Sequence, residues 1–440
     1  MLDLCRQHLN DRFPFLKSTK LLVACSGGMD SVVMTHLLHD LGYDLVLAHC
    51  NFGLRGAESD GDEAFVRTLG DDLNTPVVVT RFDTTACADR EKISIQMAAR
   101  DLRYEWFAEQ LKEQSCEYVL TAHHADDDLE TFLINLGRGT GLQGLTGIPE
   151  VNGNIVRPLL IFSREDLKTY ALDQGYAWRE DSSNEDDAYL RNKLRHHVTE
   201  KLKDSQSAFL KNFQQTQTYL RDSRALLNDY IDEVRKSVVQ TENEQSVIDL
   251  TALRAYPNHK ALLFELLAQY GFTAWEDIET LMNAQSGKQV FSPEFRLLKD
   301  RDVFILTPKP GEDGAKTVYI SEATEQITTP MELSIVPVSN WQNTSRDTIF
   351  VDRDKLVFPL ELRPWQEGDV FIPMGMEGKK KLSKFLKDEK LSLVAKEGIW
   401  VLCSNEDIVW VVGMRMSDQY KVTPETRRIL QISKSASSVV

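Results

Sequence analysis

The first half of the chain predicts an α/β fold, a parallel sheet with helices on both faces, and two smaller units follow it. Three observations carry that expectation. Short apolar runs alternate with helical patterns up to about residue 200. A glycine pair interrupts the chain directly after the first apolar run. Polar, chemistry-bearing residues follow the later runs, at the strand ends where sheets of this class collect ligands.

The strand candidates are Leu21–Cys25, Leu45–Cys50, Val77–Phe82 and Tyr118–Ala122. Each is short and apolar, as strands covered on both faces are. Helical patterns near Asp30–Leu41, Glu58–Leu73 and Ile93–Gln114 supply the covering layers. Between Asp181 and Glu200 the chain turns polar and then basic, and Phe209–Val239 reads as one long connecting helix. A smaller unit near Leu250–Thr307 is helical over Lys260–Tyr270 and Trp275–Ala284 and ends in a hairpin around Gln289–Leu306. Pro308-Lys-Pro-Gly311, with Glu312, Asp313 and Gly314, reads as a linker. The remainder mixes strands (Ile399–Cys403, Ile408–Val412) with a lysine-rich segment, and Ser433–Val440 is expected to fray.

Composition narrows the class. No apolar stretch approaches the roughly 20 residues that span a bilayer, and the N-terminus lacks a signal-peptide pattern, so a cytoplasmic protein without membrane contact is expected. The six cysteines contain no Cys-x-x-Cys pair, which fits reduced thiols and argues against a zinc ribbon or an iron–sulfur cluster. A net charge of −16 opposes nucleic-acid binding on average, but affinity for a polyanion depends on local patches. Lys379–Lys390 holds six lysines against Asp388 and Glu389, and a second basic stretch holds Arg191, Lys193, Arg195, His196, His197, Lys201 and Lys203. Such runs are also common as solvated faces.

The chemistry concentrates at five places. Ser26-Gly-Gly-Met-Asp-Ser31 follows the first strand and opens a helix. Its glycines let backbone N–H groups close around phosphate oxygens, the helix start adds free donors, and Asp30 can hold Mg²⁺ against the phosphates. Ser26 and Ser31 offer hydroxyls. No Gly-x-x-x-x-Gly-Lys-Ser/Thr loop is present. Thr121-Ala-His-His-Ala-Asp-Asp-Asp-Leu-Glu-Thr131 follows the fourth strand; caps and surface acids are one reading, a second Mg²⁺ contact with a proton-accepting imidazole the other. Gln96, Arg100, Arg103, Tyr104 and Phe107 share a helix face, so an arginine there either reaches the crevice or pairs with Asp101 or Glu105. His49–Arg55 lies at the same sheet edge, and Arg138–Leu145 is a glycine-rich loop.

The Ser26–Ser31 loop resembles the PP-loop of the N-type ATP pyrophosphatases, which cleave ATP between its α and β phosphates. The ordered set Ser26–Ser31, His49–Arg55, Arg100–Tyr104, His123–Thr131, Arg138–Leu145, Arg157–Leu160 and Asp181–Arg195, with Gly368-Asp369 and Lys379–Leu386, resembles the tRNA(Ile)-lysidine synthase family. The resemblance implies a Rossmann-like PP-loop ATPase domain over 1–200, a connecting helix over 201–245, a small helical tRNA-binding domain over 246–310 and a mixed α/β tRNA-binding domain over 325–440. It implies ATP and Mg²⁺ as cofactors and L-lysine and tRNA(Ile) with a CAU anticodon as partners, and it is compatible with a homodimer. Lysine would be joined to carbon 2 of the wobble cytidine through an adenylated base, releasing AMP and pyrophosphate.

By the same resemblance, Ser26, Gly27, Gly28, Met29, Asp30 and Ser31 bind ATP, and Asp30 and Asp127 serve Mg²⁺. Arg103 steadies phosphoryl transfer, and His123 contacts the adenylate or helps deprotonate the amine. Arg191, Asn192, Arg195, Lys379, Lys380 and Lys381 contact tRNA. Two positions depart from the family pattern: Gln96 stands where an acid is usual, and Lys396 where arginine is frequent. A PP-loop tRNA sulfur transferase is the alternative with different chemistry, but Cys25 and Cys50 read as small core residues at strand ends.

Overall fold

A computed structural model describes residues 1–180, 190–242, 245–311, 316–342 and 344–435. The expectations for Asp181–Tyr189, the linker acids and the last five residues lie outside the described residues. The chain forms two compact units, Met1–Asp229 and Tyr230–Val440.

In the first unit the elements run α1 (Leu2–Arg12), β1 (Lys20–Ala24), α2 (Met29–Asp40), β2 (Asp44–Asn51), α3 (Ala57–Asp72), β3 (Val77–Arg81), α4 (Thr84–Glu91) and α5 (Ile95–Glu113). They continue as β4 (Tyr118–Leu120), α6 (Ala125–Gly137), α7 (Leu142–Leu145), β5 (Val151–Asn152), β6 (Ile155–Val156), α8 (Arg164–Gln174), α9 (Leu190–Leu194), α10 (Glu200–Ser205) and α11 (Phe209–Val238). The sheet order is β3-β2-β1-β4-β6-β5. Neighbours are parallel except β5, which returns antiparallel to β6.

Successive strand side chains point to opposite faces, and β1 shows why both faces must be covered. Leu21 and Val23 enter one core with Leu9, Leu37, Leu47 and Leu167, beneath α1, α2 and α8. Leu22 enters the other with Val46, Trp106, Phe107 and Val119, beneath α5. The four expected strands and their covering helices are therefore present. Helix α4 and the β5–β6 hairpin are additions: a two-residue strand carries no readable alternation. Helix α5 starts later than its apolar pattern because Ser94 caps it, its hydroxyl accepting from the Met97 N–H.

In the second unit, β7 (Val239–Glu242), β8 (Gln245–Asp249), β9 (Gln289–Phe291), β10 (Phe295–Asp300) and β11 (Val303–Pro308) form an antiparallel sheet ordered β7-β8-β11-β10-β9. The expected hairpin is the β10–β11 pair, and helices His259–Leu267 and Trp275–Leu281 accompany it. This segment is richer in strand than its helical patterns indicate. Beyond it, a five-stranded and a four-stranded sheet share a core of Ile320, Leu333, Leu360, Leu402, Trp410 and Ile432. Trp400–Ser404 and Asp407–Val411 pair antiparallel there, and the lysine segment ends in the helix Leu382–Asp388. Among the described residues no helix is long and apolar enough to cross a membrane.

Candidate active site

The strand order reverses between β1 and β4, the point where a doubly wound sheet opens a crevice at its carboxyl edge. A cavity of about 890 Å³ lies there. Ser26, Gly28, Met29, Asp30 and Ser31 line it from β1, Cys50 and Phe52 from β2, Thr121 and His123 from β4, and Arg103 and Tyr104 from α5.

The loop after β1 is built by its serines. The Ser31 hydroxyl donates to the Gly28 carbonyl (2.9 Å) and accepts the Ser26 N–H (3.2 Å), while Ser26 Oγ accepts the Gly28 N–H (3.3 Å). The Ser31 proton is thus engaged inside the turn. Gly27 turns the loop at φ +88°, where a side chain would be strained, and its carbonyl accepts the Arg179 N–H at 2.9 Å. Among the described residues, no hydrogen bond occupies the N–H groups of Met29, Asp30 and Ser31, the open donors of the first turn of α2.

Across the crevice, α6 begins after His124, whose backbone N–H donates to Asp127 Oδ2 at 3.0 Å. The acids of this turn divide among separate partners. Asp126 takes Lys203 Nζ at 2.6 Å and the Arg164 N–H at 2.8 Å. Asp128 takes Arg221 Nη2 at 3.0 Å and the Ile148 N–H. Asp127 lies 3.5 Å from Arg195 Nη2 and 3.9 Å from Arg191 Nη2. Glu130 takes Arg191 Nε (2.9 Å) and Arg195 Nε (2.6 Å).

These environments set the charges apart. Burial pushes the Asp30 carboxyl above its usual range, although His124 opposes the shift. Burial acts the same way on Asp127 but is outweighed by His124, His123 and Arg191, which hold it below the usual range. Burial lowers His123 to about 4, and its Nδ1 meets the Thr121 hydroxyl at 3.0 Å. Arg103 stacks its guanidinium over Phe52, 5.2 Å from the ring centre, at the cavity wall.

The expected residues therefore divide in three. The loop, Arg103 and His123 line one cavity, which Arg195 also reaches. Arg191, Arg195 and Lys203 balance the acids of α6, which leaves Lys193 and Lys201 as exposed cations of the second basic stretch. Lys379, Lys380 and Lys381 belong to the other unit; Lys380 pairs with Asp388 at 2.8 Å, whereas Lys379 and Lys381 are exposed.

Sequence reasoning missed Arg164, Glu165 and Lys168, which line the cavity from α8; Trp178 and Arg179, from the arginine-bearing run that ends the ordered motif series, line it beyond that helix. The signal for the α8 residues was the capping box Ser163-x-x-Asp166, in which Ser163 Oγ accepts the Asp166 N–H at 3.0 Å. It marks a helix start after a strand too short to recognise. Glu130, part of the Thr121–Thr131 run, was given no role of its own and is fully buried against Arg191 and Arg195.

The PP-loop domain family matches residues 3–202, the TilS substrate binding domain 240–309 and the TilS substrate C-terminal domain 360–432. The chain is 40% identical over 420 residues to a tRNA(Ile)-lysidine synthase of Parabacteroides distasonis, covering 94% of this chain and 95% of the relative. It is 39% identical to that of Bacteroides thetaiotaomicron, with the same coverage. It is 36% identical to that of Porphyromonas gingivalis, covering 95% of this chain and 94% of the relative. With PP-loop, substrate and C-terminal domains in this order and such identity along its length, the chain belongs to the tRNA(Ile)-lysidine synthase family.

Proposed function

We propose that this chain joins L-lysine to carbon 2 of the wobble cytidine of tRNA(Ile) bearing a CAU anticodon. ATP is consumed to AMP and pyrophosphate. The observation that carries the reading is the cavity at the β1/β4 reversal, where the amides of Met29, Asp30 and Ser31 stand open beside Arg103 and His123. Those amides and the positive end of α2 would take the departing pyrophosphate. The cytidine 2-oxygen attacks the α-phosphate, and Arg103 would neutralise charge that builds there. The lysine ε-amine then attacks carbon 2 of the adenylated base and AMP leaves.

The donor set fits Mg²⁺. Among the described residues Asp30 Oδ1 is buried without a partner, and Asp127 is held ionised. Among the described residues no cluster of three or more potential ligands forms a protein-only metal cage. Mg²⁺ shared with phosphates needs only one or two carboxylates, and Asp30 and Asp127 would hold it. When bound, it withdraws negative charge from the phosphate oxygens. His123 is neutral at working pH and too weak a base to take a proton from an ammonium group, so contact with the adenylate is its better role.

The domains are assigned as 1–200 for catalysis, 201–245 as the connecting helix, and 246–310 and 325–440 as the parts that grip tRNA. Arg191, Asn192 and Arg195 would meet tRNA near the catalytic cavity, and Lys379, Lys380 and Lys381 its body. The protein acts in the cytoplasm. A homodimer is compatible with this reading, and sedimentation of the full chain decides it.

Pyrophosphate release measured with each of the twenty amino acids, with and without tRNA(Ile) bearing CAU, tests the reading. Release that needs both lysine and this tRNA supports it; release that needs neither refutes it. Sulfur transfer is disfavoured by Cys25 and Cys50. Burial raises both thiols, Cys50 to about 12, so neither is a ready nucleophile.

A further inference from the structure

His124, the residue between β4 and α6, has a side chain only 3% exposed, wedged among three carboxylates. Its Nε2 lies 3.5 Å from Asp127 Oδ2 and 3.7 Å from Asp30 Oδ2, and its Nδ1 lies 3.8 Å from Asp126 Oδ2. The Nε2 distances exceed those of ordinary hydrogen bonds, so the ring holds its neighbours apart by occupying the space between them, with one polar edge toward both. Among the described residues Nδ1 has no hydrogen-bond partner. The three acids are not equally anchored. Asp126 has Lys203 and the Arg164 amide, and Asp127 has the His124 amide and Arg195. Among the described residues the His124 ring is the one basic side chain within 4 Å of the Asp30 carboxylate, and Asp30 Oδ1 is buried and unpaired.

Two carboxylates left to themselves in a buried site repel each other or share a proton, and neither outcome is a site ready for a divalent cation. One imidazole edge facing both fixes the gap between them. We propose that His124 is a positioning residue that sets the separation of Asp30 and Asp127, so that a cation arriving with ATP meets a preformed pair. This rests on the reading of Asp30 and Asp127 as the metal-holding pair. Residues that orient metal ligands without touching the metal commonly change metal affinity by about 10- to 100-fold when replaced.

The test uses the full chain with Mn²⁺ as the spectroscopic probe, titrated by electron paramagnetic resonance in the presence of α,β-methylene ATP. His124→Ala should raise the Mn²⁺ dissociation constant by about 10- to 100-fold. His124→Gln, whose amide nitrogen reaches the place of Nε2, should restore most of the affinity. His124→Asn, which reaches only the place of Nδ1, should not. A purely structural role predicts no such division between Gln and Asn, and the Gln variant guards against loss of the fold. Equal impairment of Gln and Asn variants overturns the proposal. Asp30→Asn and Asp127→Asn separate the two levels of the argument. Weak Mn²⁺ binding in them, with parental binding in His124→Ala, overturns the positioning role alone. Parental binding in all three overturns the metal-pair reading beneath it.

Discussion

Glu130, with no exposed side-chain surface, takes both the Nε and Nη2 of Arg195, at 2.6 and 3.1 Å. Arg191 Nε reaches the same carboxylate at 2.9 Å. One buried acid thereby fastens α9 and the turn after it to the helix that carries Asp127. Removing one partner of such a pair leaves a desolvated charge behind, at about 3–5 kcal/mol. Glu130→Ala should lower stability by about that amount, seen as an earlier urea midpoint by circular dichroism.

Among the described residues the buried Oδ1 of Asp30 has no hydrogen bond to lose, and burial already disfavours the charged form of this carboxyl. Asp30→Asn is expected to abolish pyrophosphate release while leaving the thermal midpoint unchanged or slightly raised. A coupled pyrophosphate assay beside a melting curve separates chemistry from folding.

Gly27→Ala places a Cβ at φ +88°, 3.4 Å from the Phe65 ring. A left-handed backbone costs a side-chain-bearing residue about 1–2 kcal/mol. The loop should relax out of register with the amides of α2, raising KM for ATP more than KM for tRNA. Steady-state kinetics with each substrate varied in turn checks this.

His123 supplies a pH signature. Its pKa is lowered from 6.5 to about 4 in the fold, so between those values the unfolded chain binds the proton and the native chain does not. Stability contributed by His123 is therefore complete above pH 6.5 and is lost as pH falls toward 4, by up to about 3 kcal/mol. His123→Gln should flatten the dependence of the urea midpoint on pH in that window.

On the lysine-rich segment, Lys379 and Lys381 are exposed, while Lys380 is paired with Asp388 and lies over the Phe385 ring. Replacing Lys379 and Lys381 by glutamine should weaken tRNA binding and reduce the salt slope by about one unit per lysine. Lys380→Gln should change the slope less. Filter binding across salt concentrations reads both.

What the sequence revealed depended on contiguity. The loop Ser26–Ser31 is one unbroken signal, and 30 residues of helical period place α11 within one residue of its expected end. The β5–β6 hairpin, two residues per strand, leaves no period to detect, and the cavity wall from α8 was lost with it. The inward Ser31 hydroxyl and the Arg195–Glu130 pair are invisible for another reason. Both are choices among several polar partners, and only the folded geometry, here across 65 residues of chain, makes the choice.

In the proposed reading the leaving group is gripped by main-chain N–H groups at the start of α2, whereas α5, α8, α10 and the turn after α9 furnish other walls of the cavity. Apart from the few side chains assigned to the metal and the α-phosphate, a backbone clamp tolerates exchange of its neighbours. Divergence within those surrounding helices can therefore retarget which nucleophile and which acceptor are admitted, while the energy-releasing step stays intact.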